Sequence, residues 1–363
     1  EVSDRGKKVI KDIAKAAEDS ENLYLATDPD REGEAIAWHV ENMLRDNPQL
    51  KKLNIQRITF NEITKDAVQK SLKKPRKIND NLVNAYLARR ALDFLVGFNL
   101  SPVLWRKLPG SKSAGRVQSV ALRIISEREL EIEKFNPQEY WSINTIFSKN
   151  DDNQIETRLT RYNGKKIEKH DIKDNQSATN ILKNVLNDTY SVQKIEKKET
   201  KRNPYPAFTT STMQIEASRK LGFTANHTMR IAQKLYEGVE IDGEPTGLIT
   251  YMRTDSVVMS STALNEMRNY IKNEIGKNYL PPEPRIYKSK AKNAQEAHEC
   301  IRPTNIYLLP QKINKLLNTD EYKLYEIIWQ RAVSSQMASA IINQVSVDIK
   351  NNDNQIIFRA NGS

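Results

Sequence analysis

The spacing of apolar residues changes several times along the 363 residues, and these changes limit the possible folds more than any other feature. In the first 60 residues, helix-like segments near 7–18 and 34–44 alternate with short apolar runs at 23–27 and 55–60. Such alternation predicts an α/β layer. Residues 140–201 instead carry apolar side chains in short alternating runs, which predicts strands. Because a chain of this length rarely forms a single core, we expect several domains.

Helical spacing dominates two other parts of the chain. Residues 61–135 have a helical pattern that we expect Gly97 and Pro102 to interrupt. Residues 210–238 predict two helices joined at Gly222, and the last segment, 344–359, returns to alternation. Apolar residues at helical spacing predict the buried faces of the first helices. The residues expected on these faces are Ile36, Val40, Met43, Leu44, Leu82, Tyr86, Phe94 and Phe98.

The composition is that of a basic, non-membrane protein. Lys and Arg number 57 against 46 for Asp and Glu, a net charge of +11, and hydrophobic residues make up 38% of the chain. This balance favours a polyanionic partner, with nucleic acid first, although a solubilising surface is the plainer explanation. The single cysteine, Cys300, excludes an internal disulfide and a multi-cysteine zinc site. With no export leader at the start of the sequence, we expect a cytoplasmic location.

Three acidic residues form the first candidate site. In the segment DPDREGE, Asp28, Asp30 and Glu32 follow an apolar strand and precede a helix, the edge where ligands collect in α/β sheets. Carboxylates at this spacing can hold Mg²⁺, which keeps several waters and binds phosphate oxygens. The alternative is that they only cap the helix and complement its dipole. Arg31 and Gly33 favour a phosphate ligand, because one brings a cation and the other permits close backbone approach.

A tyrosine forms the second candidate site, in the segment GLITYMRTDS at 247–256. If the segment is extended, Tyr251, Arg253 and Asp255 project from one side. A phenol with a pKa near 10 needs cationic help to act as a nucleophile, and an arginine could supply it while holding a phosphate. By itself, a tyrosine after three apolar residues is more often a half-buried packing residue.

Both segments together resemble the motifs of the bacterial type IA DNA topoisomerases. Four more segments resemble signatures of this family in the family's order. They are YLARRALD at 86–93, SAGRVQSVAL at 113–122, TSTMQ at 210–214 and AQEAHECIRPT at 294–304. The resemblance therefore covers nearly the whole chain. The segment from Gly110 to Gly115 lacks the glycine-lysine pair of a P-loop, so no nucleotide-binding loop is expected.

The resemblance implies a multi-domain α and β fold, a part of the family's toroid, with helical domains, a Toprim layer and a β-rich arch. The implied domains are a partial Toprim domain at 1–60, a helical domain with a groove for single-stranded DNA at 61–135, the first part of the arch at 136–208, a helical domain carrying the active-site tyrosine at 209–338, and the returning part of the arch at 339–363.

The resemblance also implies an activity. Tyr251 would cleave one DNA strand as a 5′-phosphotyrosine, another strand would pass, and religation would relax negative supercoils without ATP. The partner would be a single-stranded segment of negatively supercoiled DNA, bound by a monomer in the nucleoid. The implied site residues are Tyr251, Arg253, His298 and Arg31 for catalysis, Asp28, Asp30 and Glu32 for Mg²⁺, and Arg90, Asp93, Arg116, Gln118 and Asp255 for DNA binding.

The sequence departs from the family pattern in three ways. Phe94 follows Asp93 where these enzymes often have an arginine, and Cys300 replaces a small alanine. The first Toprim strand, which in the family supplies a glutamate and a lysine beside the tyrosine, precedes the first residue. We therefore expect this chain to bind single-stranded DNA but to cleave it poorly.

Three alternatives remain open. Topoisomerase III belongs to the same family, but it usually has proline where this chain has Met252. A Toprim nuclease or primase would use the same acids without a tyrosine. A basic module that only grips single strands by charge and stacking would need neither.

Overall fold

The structure is a computed structural model that describes residues 4–148, 153–241, 243–288 and 299–363. Its contacts divide the chain into two compact units. The first unit comprises residues 1–119 and 204–338, and the second comprises 120–203 and 339–363. The finer division into five domain segments stays a prediction.

Helices account for most of the first unit, and the second unit contains α6 and most of α5. In chain order the α-helices are α1 (Asp4–Ala17), α2 (Arg31–Arg45), α3 (Lys65–Leu72), α4 (Asp80–Lys107), α5 (Gln118–Glu133), α6 (Asn175–Leu186), α7 (Thr210–Leu221), α8 (Ala225–Glu237), α9 (Ser261–Tyr270), α10 (Pro310–Ile313) and α11 (Thr319–Ser335). Single turns of 3₁₀-helix lie at Pro48–Leu50, Lys277–Tyr279 and Asn314–Leu316, and a π-helical turn at Ile271–Ile275 extends α9.

The strands form separate sheets in the two units. They are β1 (Asn22–Leu25), β2 (Asn54–Arg57), β3 (Asn144–Ser148), β4 (Gln154–Tyr162), β5 (Lys165–Lys166), β6 (Tyr190–Arg202), β7 (Val239–Ile241), β8 (Glu244–Thr246), β9 (Ala340–Asn351) and β10 (Ile357–Gly362).

Residues 4–57 form the predicted α/β layer. Strands β1 and β2 pair in parallel, with Asn22 opposite Asn54, and helix α2 lies between them in the chain. Leu44 is buried as predicted, but Ile36 is 52% exposed, so its predicted burial is wrong. Helix α2 buries Ala35 and Ala37 instead, because helical spacing shows which residues share a face and not which face the rest of the chain covers.

Helix α4 is longer than predicted. It runs without interruption through Gly97 and Pro102, so the predicted break is wrong. Proline removes only one backbone donor, and the turn is held at Ser101, whose Oγ accepts a hydrogen bond of 3.2 Å from the Ala114 amide. Phe94 and Phe98 lie on the helix but are 59% and 70% exposed, so their predicted burial is wrong as well.

Helices α7, α8 and α11 enclose the largest core of the first unit. The predicted helix pair of residues 210–238 is confirmed, with Gly222 in the left-handed conformation (φ 70°) at the end of α7. Thr209 caps α7 in a reciprocal capping box, and Thr224 caps α8. These caps satisfy backbone donors that a helix cannot satisfy itself. The core that the helices share includes both Tyr236 and Tyr251.

The second unit is a six-stranded antiparallel sheet covered by α6. The strand order is β3-β4-β10-β9-β6, and β5 pairs with β4. Phe358 of β10 is fully buried, and its ring packs against Phe147 and Tyr190. The predicted strands of residues 140–201 and 344–359 are confirmed, except that helix α6 occupies Asn175–Leu186. None of the described helices has the length and apolar character required to cross a membrane.

Candidate active site

The turn between β1 and α2 is held in place by hydrogen bonds between side chains and its backbone. Asp30 caps α2, and its Oδ1 accepts a 2.8 Å hydrogen bond from the Gly33 amide. Thr27 Oγ1 donates to the Gly33 carbonyl at 2.6 Å, and Arg57 donates to the Asp28 carbonyl at 2.7 Å. A Cβ at position 33 would lie 2.0 Å from the Asp28 carbonyl oxygen, so only glycine fits there. This turn therefore fixes where both aspartates lie.

A buried ion cluster supports the turn from behind, and the sequence analysis missed it. Glu34 and Arg57 have side-chain exposures of 1% and 0%, and Arg57 Nε donates to Glu34 Oε2 at 3.0 Å. Arg76 adds two hydrogen bonds of 2.6 and 2.8 Å to the same carboxylate, and the Asn79 amide adds another of 2.6 Å. Arg57 also donates to the Leu25 carbonyl at 2.8 Å, which joins the cluster to the end of β1.

Tyr251 reaches this turn from the core of the first unit. Its amide donates to the Asn61 carbonyl at 2.8 Å, and its ring packs on Tyr236 and is 2% exposed. The ring is thus a core residue, as the plainer interpretation expected. Its hydroxyl nevertheless donates to Asp30 Oδ2 at 2.8 Å, and Arg253 Nη1 lies 3.5 Å from the same oxygen. A phenol, a guanidinium and a carboxylate therefore meet at one atom.

The segment that carries Tyr251, Arg253 and Asp255 differs in part from the predicted one. Residues 251–259 form no strand. Arg253 and Asp255 are both exposed, as side chains on one side of the segment would be, whereas Tyr251 is buried. Irregular backbone lets Tyr251 point into the core while Arg253 stays 54% exposed. Asp255 is exposed, and within the described ranges it makes no hydrogen bond or ion pair.

The site keeps the tyrosine protonated. Burial raises the pKa of Tyr251, its hydrogen bond to Asp30 and the charges of Asp30 and Asp28 raise it further, and Arg253 opposes them only in part. Burial also raises the pKa of Asp28, and the neighbouring charge of Asp30 adds to this. Two carboxylates that repel each other are a site where a cation would relieve the repulsion.

The carboxylates fit a divalent ion in part. Asp28 and Asp30 provide hard oxygen donors beside each other, and Mg²⁺ in proteins commonly uses one or two carboxylates and several waters. Glu32 does not join them, because its Oε1 pairs with Arg89 Nη1 at 2.9 Å. Within the described residues, no three acidic, histidine or cysteine side chains come close enough together to hold a metal. Arg89 is a further residue of this region that the sequence analysis missed.

Two other predicted catalytic residues are less constrained. Arg31 begins α2, is partly exposed, and forms no ion pair with any described residue. His298 lies outside the described residues. The chain after it is anchored, because Arg302 is 5% exposed and pairs with Glu299 at 2.8 Å and Glu62 at 3.1 Å.

Three of the four predicted groove residues, Asp93, Arg116 and Gln118, line a cavity of about 690 Å³ between α4 and the start of α5, and Arg90 is not part of its wall. Arg116 and Asp93 form a bidentate ion pair there, with distances of 2.9 and 3.1 Å. Gln118 Nε2 donates to Ser113 Oγ at 3.2 Å. Arg90 is exposed and, among the described residues, makes no ion pair. The cavity wall also includes the aromatic side chains of Phe98 and Trp105.

Comparison with known proteins identifies the family. The family model described as DNA topoisomerase matches residues 77–363, and a Toprim domain model matches residues 2–63. The chain belongs to the DNA topoisomerase family. Toprim domains bind a divalent metal ion. The resemblance to bacterial type IA topoisomerases is thereby confirmed.

Individual relatives of this topoisomerase chain agree. It is 50% identical to the "DNA topoisomerase 1" of Rickettsia bellii over 100% of the chain and 46% of the relative, and 49% identical to that of Xylella fastidiosa over 99% of the chain and 44% of the relative. The solved structure of full-length topoisomerase I from Thermotoga maritima is 38% identical, with a TM-score of 0.80, over 99% of this chain and 56% of that one. The predicted mixed α and β fold with a Toprim domain is confirmed. The chain spans about half the length of these relatives.

Proposed function

We propose that this chain carries the strand-cutting site of a type IA DNA topoisomerase, which relaxes negative supercoils without ATP. The observation that carries the proposal is the contact of the Tyr251 hydroxyl with Asp30 beside Arg253. A tyrosine that served only to pack the core would not need its hydroxyl among carboxylates and a half-exposed guanidinium. Partial burial of those charged groups costs desolvation energy, which packing alone does not require.

The proposed chemistry is an exchange of phosphodiester bonds. The Tyr251 oxygen forms a bond to phosphorus, the bond from phosphorus to the 3′-oxygen breaks, and the DNA keeps a 5′-phosphotyrosine and a free 3′-hydroxyl. The phenolic proton must leave as the bond forms, and Asp30 already accepts a hydrogen bond from that hydroxyl. The 3′-oxygen takes a proton as it leaves. Because the reverse step restores the strand from the same bonds, no nucleotide is consumed.

Arg253 is proposed to hold the scissile phosphate. Its side chain is 54% exposed while one nitrogen lies 3.5 Å from Asp30, so the remaining donors of the guanidinium are open to a phosphate. In this role it would stabilise the negative charge that develops on the phosphate oxygens. We propose that Arg31 and His298 assist at the same phosphate.

The proposed metal ion is Mg²⁺, held by Asp28 and Asp30. Bound there, it would neutralise the two carboxylates and attract phosphate oxygens. Glu32 is proposed as the third ligand, which requires it to exchange Arg89 for the metal. A DNA phosphate near Arg89 could make that exchange favourable, because it would offer the arginine another anion.

The proposed partner is a single-stranded segment of negatively supercoiled DNA. The cavity of about 690 Å³ has an aromatic wall and a basic rim, which suits an unpaired base and its phosphate. Arg90, Asp93, Arg116, Gln118 and Asp255 are the proposed DNA contacts. We propose that the protein acts as a monomer in the cytoplasm, at the nucleoid, and sedimentation of the purified protein would check the first point.

The experiment that tests the proposal traps the protein on DNA. A protein of the relatives' full length that contains this sequence is incubated with a labelled single-stranded oligonucleotide and magnesium, then denatured. We expect a covalent adduct that carries the label from the 3′ side of the break, and peptide mapping should place it on Tyr251. Chelation of the metal should reduce relaxation of a supercoiled plasmid, and omission of ATP should not.

Other outcomes point to the alternatives. Cut DNA without an adduct would indicate a Toprim nuclease, and binding without cutting would indicate a single-strand binding module. The expectation that the 363-residue chain itself binds DNA but cleaves poorly stays a prediction, and the same gel measures it.

Binding to the groove should depend steeply on salt and on Arg116. For single strands, the logarithm of the binding constant falls with the logarithm of salt concentration by about 0.7 per phosphate contact. We expect Arg116→Ala to weaken binding and to remove about one contact from that slope. Arg123→Ala is the matched control, because Arg123 is an arginine on the adjacent helix with its side chain 78% exposed and paired with Glu127. Fluorescence anisotropy across a salt series measures both, and equal slopes for the two variants would contradict the proposed groove.

A further inference from the structure

A second buried tyrosine lies against the proposed nucleophile. Tyr236 is in the last turn of α8 and is 3% exposed. Its ring centroid lies 5.2 Å from that of Tyr251, with an angle of 68° between the ring planes. This edge arrangement is one that aromatic rings prefer, because the positive edge of one ring faces the negative face of the other. The contact therefore favours one orientation of the Tyr251 ring over others.

The backbone fixes the two rings relative to each other. The Leu248 amide donates to the Leu235 carbonyl at 2.8 Å, which joins the Tyr251 segment to the residue before Tyr236. A Cβ at Gly247 would lie 2.5 Å from the Tyr236 carbonyl oxygen, so this close approach requires glycine. Tyr236 is consequently held beside Tyr251 by main-chain contacts as well as by its ring.

The hydroxyl of Tyr236 differs in its hydrogen bonding from the hydroxyls of two other tyrosines in the same core. Tyr251 donates to Asp30, and Tyr325, another buried tyrosine of the same core, donates to the Leu308 carbonyl at 2.7 Å. Among the described residues, Tyr236 makes no hydrogen bond through its hydroxyl. Burial raises the pKa of Tyr236, and the charges of Asp28 and Asp30 raise it further, while its contact with Tyr251 is made through the ring.

We propose that Tyr236 is a positioning residue, whose ring holds the Tyr251 phenol in the orientation that keeps its hydroxyl at Asp30 and in reach of a phosphate. This inference rests on the proposed function, because it concerns the rate of the same step. Tyr236 itself contacts no reacting atom. Its loss should therefore slow the attack of Tyr251 without weakening the binding of DNA.

The test compares variants that keep or remove the ring in a protein of the relatives' full length. Adduct formation is measured in a single turnover at saturating oligonucleotide, and binding is measured separately by anisotropy. We expect Tyr236→Leu to slow adduct formation about 10- to 100-fold, since small displacements of a reacting group have effects of this size. The oligonucleotide dissociation constant should stay unchanged. Tyr236→Phe, which restores the ring without the hydroxyl, should return the rate to within about twofold of the wild type.

Phe223→Leu is the matched control. Phe223 is 9% exposed, belongs to the same core, and its ring contacts His227 rather than Tyr251. In thermal melting, Phe223→Leu should lose about as much stability as Tyr236→Leu. Its rate of adduct formation should stay that of the wild type. If Tyr236→Leu does not fold, Tyr236→Met removes the ring while keeping more of its volume, and it should be slowed similarly.

The outcomes separate this inference from the proposed function. A wild-type protein that forms no adduct would overturn both. If the wild type forms the adduct and the leucine or methionine variant matches its rate, only the positioning role is wrong. The same holds if Phe223→Leu is slowed as much as Tyr236→Leu, because the effect would then belong to the core in general.

Discussion

Replacing Tyr251 by phenylalanine is expected to abolish covalent attachment to DNA, with a loss of about 10⁴-fold or more, as for other enzymes that lose their nucleophile. The ring would remain in its core position, since phenylalanine fills nearly the same volume. Only the hydroxyl that contacts Asp30 would be absent. A denaturing gel of the protein with labelled oligonucleotide measures the adduct directly.

Two control measurements accompany this experiment. Tyr325→Phe removes another buried hydroxyl from the same core, at a residue that is 0% exposed, and it should form the adduct normally. Anisotropy with a single-stranded oligonucleotide should show that Tyr251→Phe still binds. Adduct formation that survives in Tyr251→Phe would assign the nucleophile to another residue and remove the basis of the proposed function.

Replacing Glu34 by glutamine is expected to destabilise the α/β layer by about 3 to 5 kcal/mol, because one partner of a buried ion pair would be left without its counter-charge. Arg57 is fully buried and would lose its only carboxylate among the described residues, and Arg76 would lose the same partner. Since the chain has two compact units, a single unfolding transition is not expected. Hydrogen exchange at the amides of β1 and α2 would report the local free energy of opening.

Glu41→Gln is the matched control, since it removes a glutamate from the same helix. Glu41 pairs with Arg45 at 3.3 Å, and both side chains are partly exposed, so the expected change is at most about 0.5 kcal/mol. Equal exchange rates for the two variants would show that the buried cluster adds nothing beyond a surface pair.

The Glu34 cluster should also make the layer sensitive to acid. Burial alone would raise the pKa of Glu34, but hydrogen bonds from Arg76, the Asn79 amide and Arg57 outweigh it and hold the pKa below the ordinary value. The stability from Glu34 is therefore complete above about pH 4.3, the ordinary glutamate pKa, and falls as the pH drops through the lower pKa of the folded chain. The difference in amide exchange between wild type and Glu34→Gln should shrink over that range.

Much of the local structure followed from the sequence, because it depends on neighbours along the chain. Helical and alternating spacing located most helices and strands, and Gly222 marked the end of α7. The same reasoning failed where burial depends on distant segments. Ile36, Phe94 and Phe98 have helical spacing but are exposed, since spacing states which residues share a face and not what covers that face.

The candidate site divides in the same way. The sequence by itself determined the chemistry, through the acids of DPDREGE, the tyrosine and arginine of GLITYMRTDS, and the family to which they belong. Only the tertiary structure decided that Tyr251 and Arg253 meet at Asp30. It also decided that Arg89 forms an ion pair with Glu32 and that the ring of Tyr236 packs against that of Tyr251. The physical reason is that Asp30 and Tyr251 are separated by 221 residues. No local pattern encodes which groups meet across that distance, because packing and the pairing of buried charges decide it.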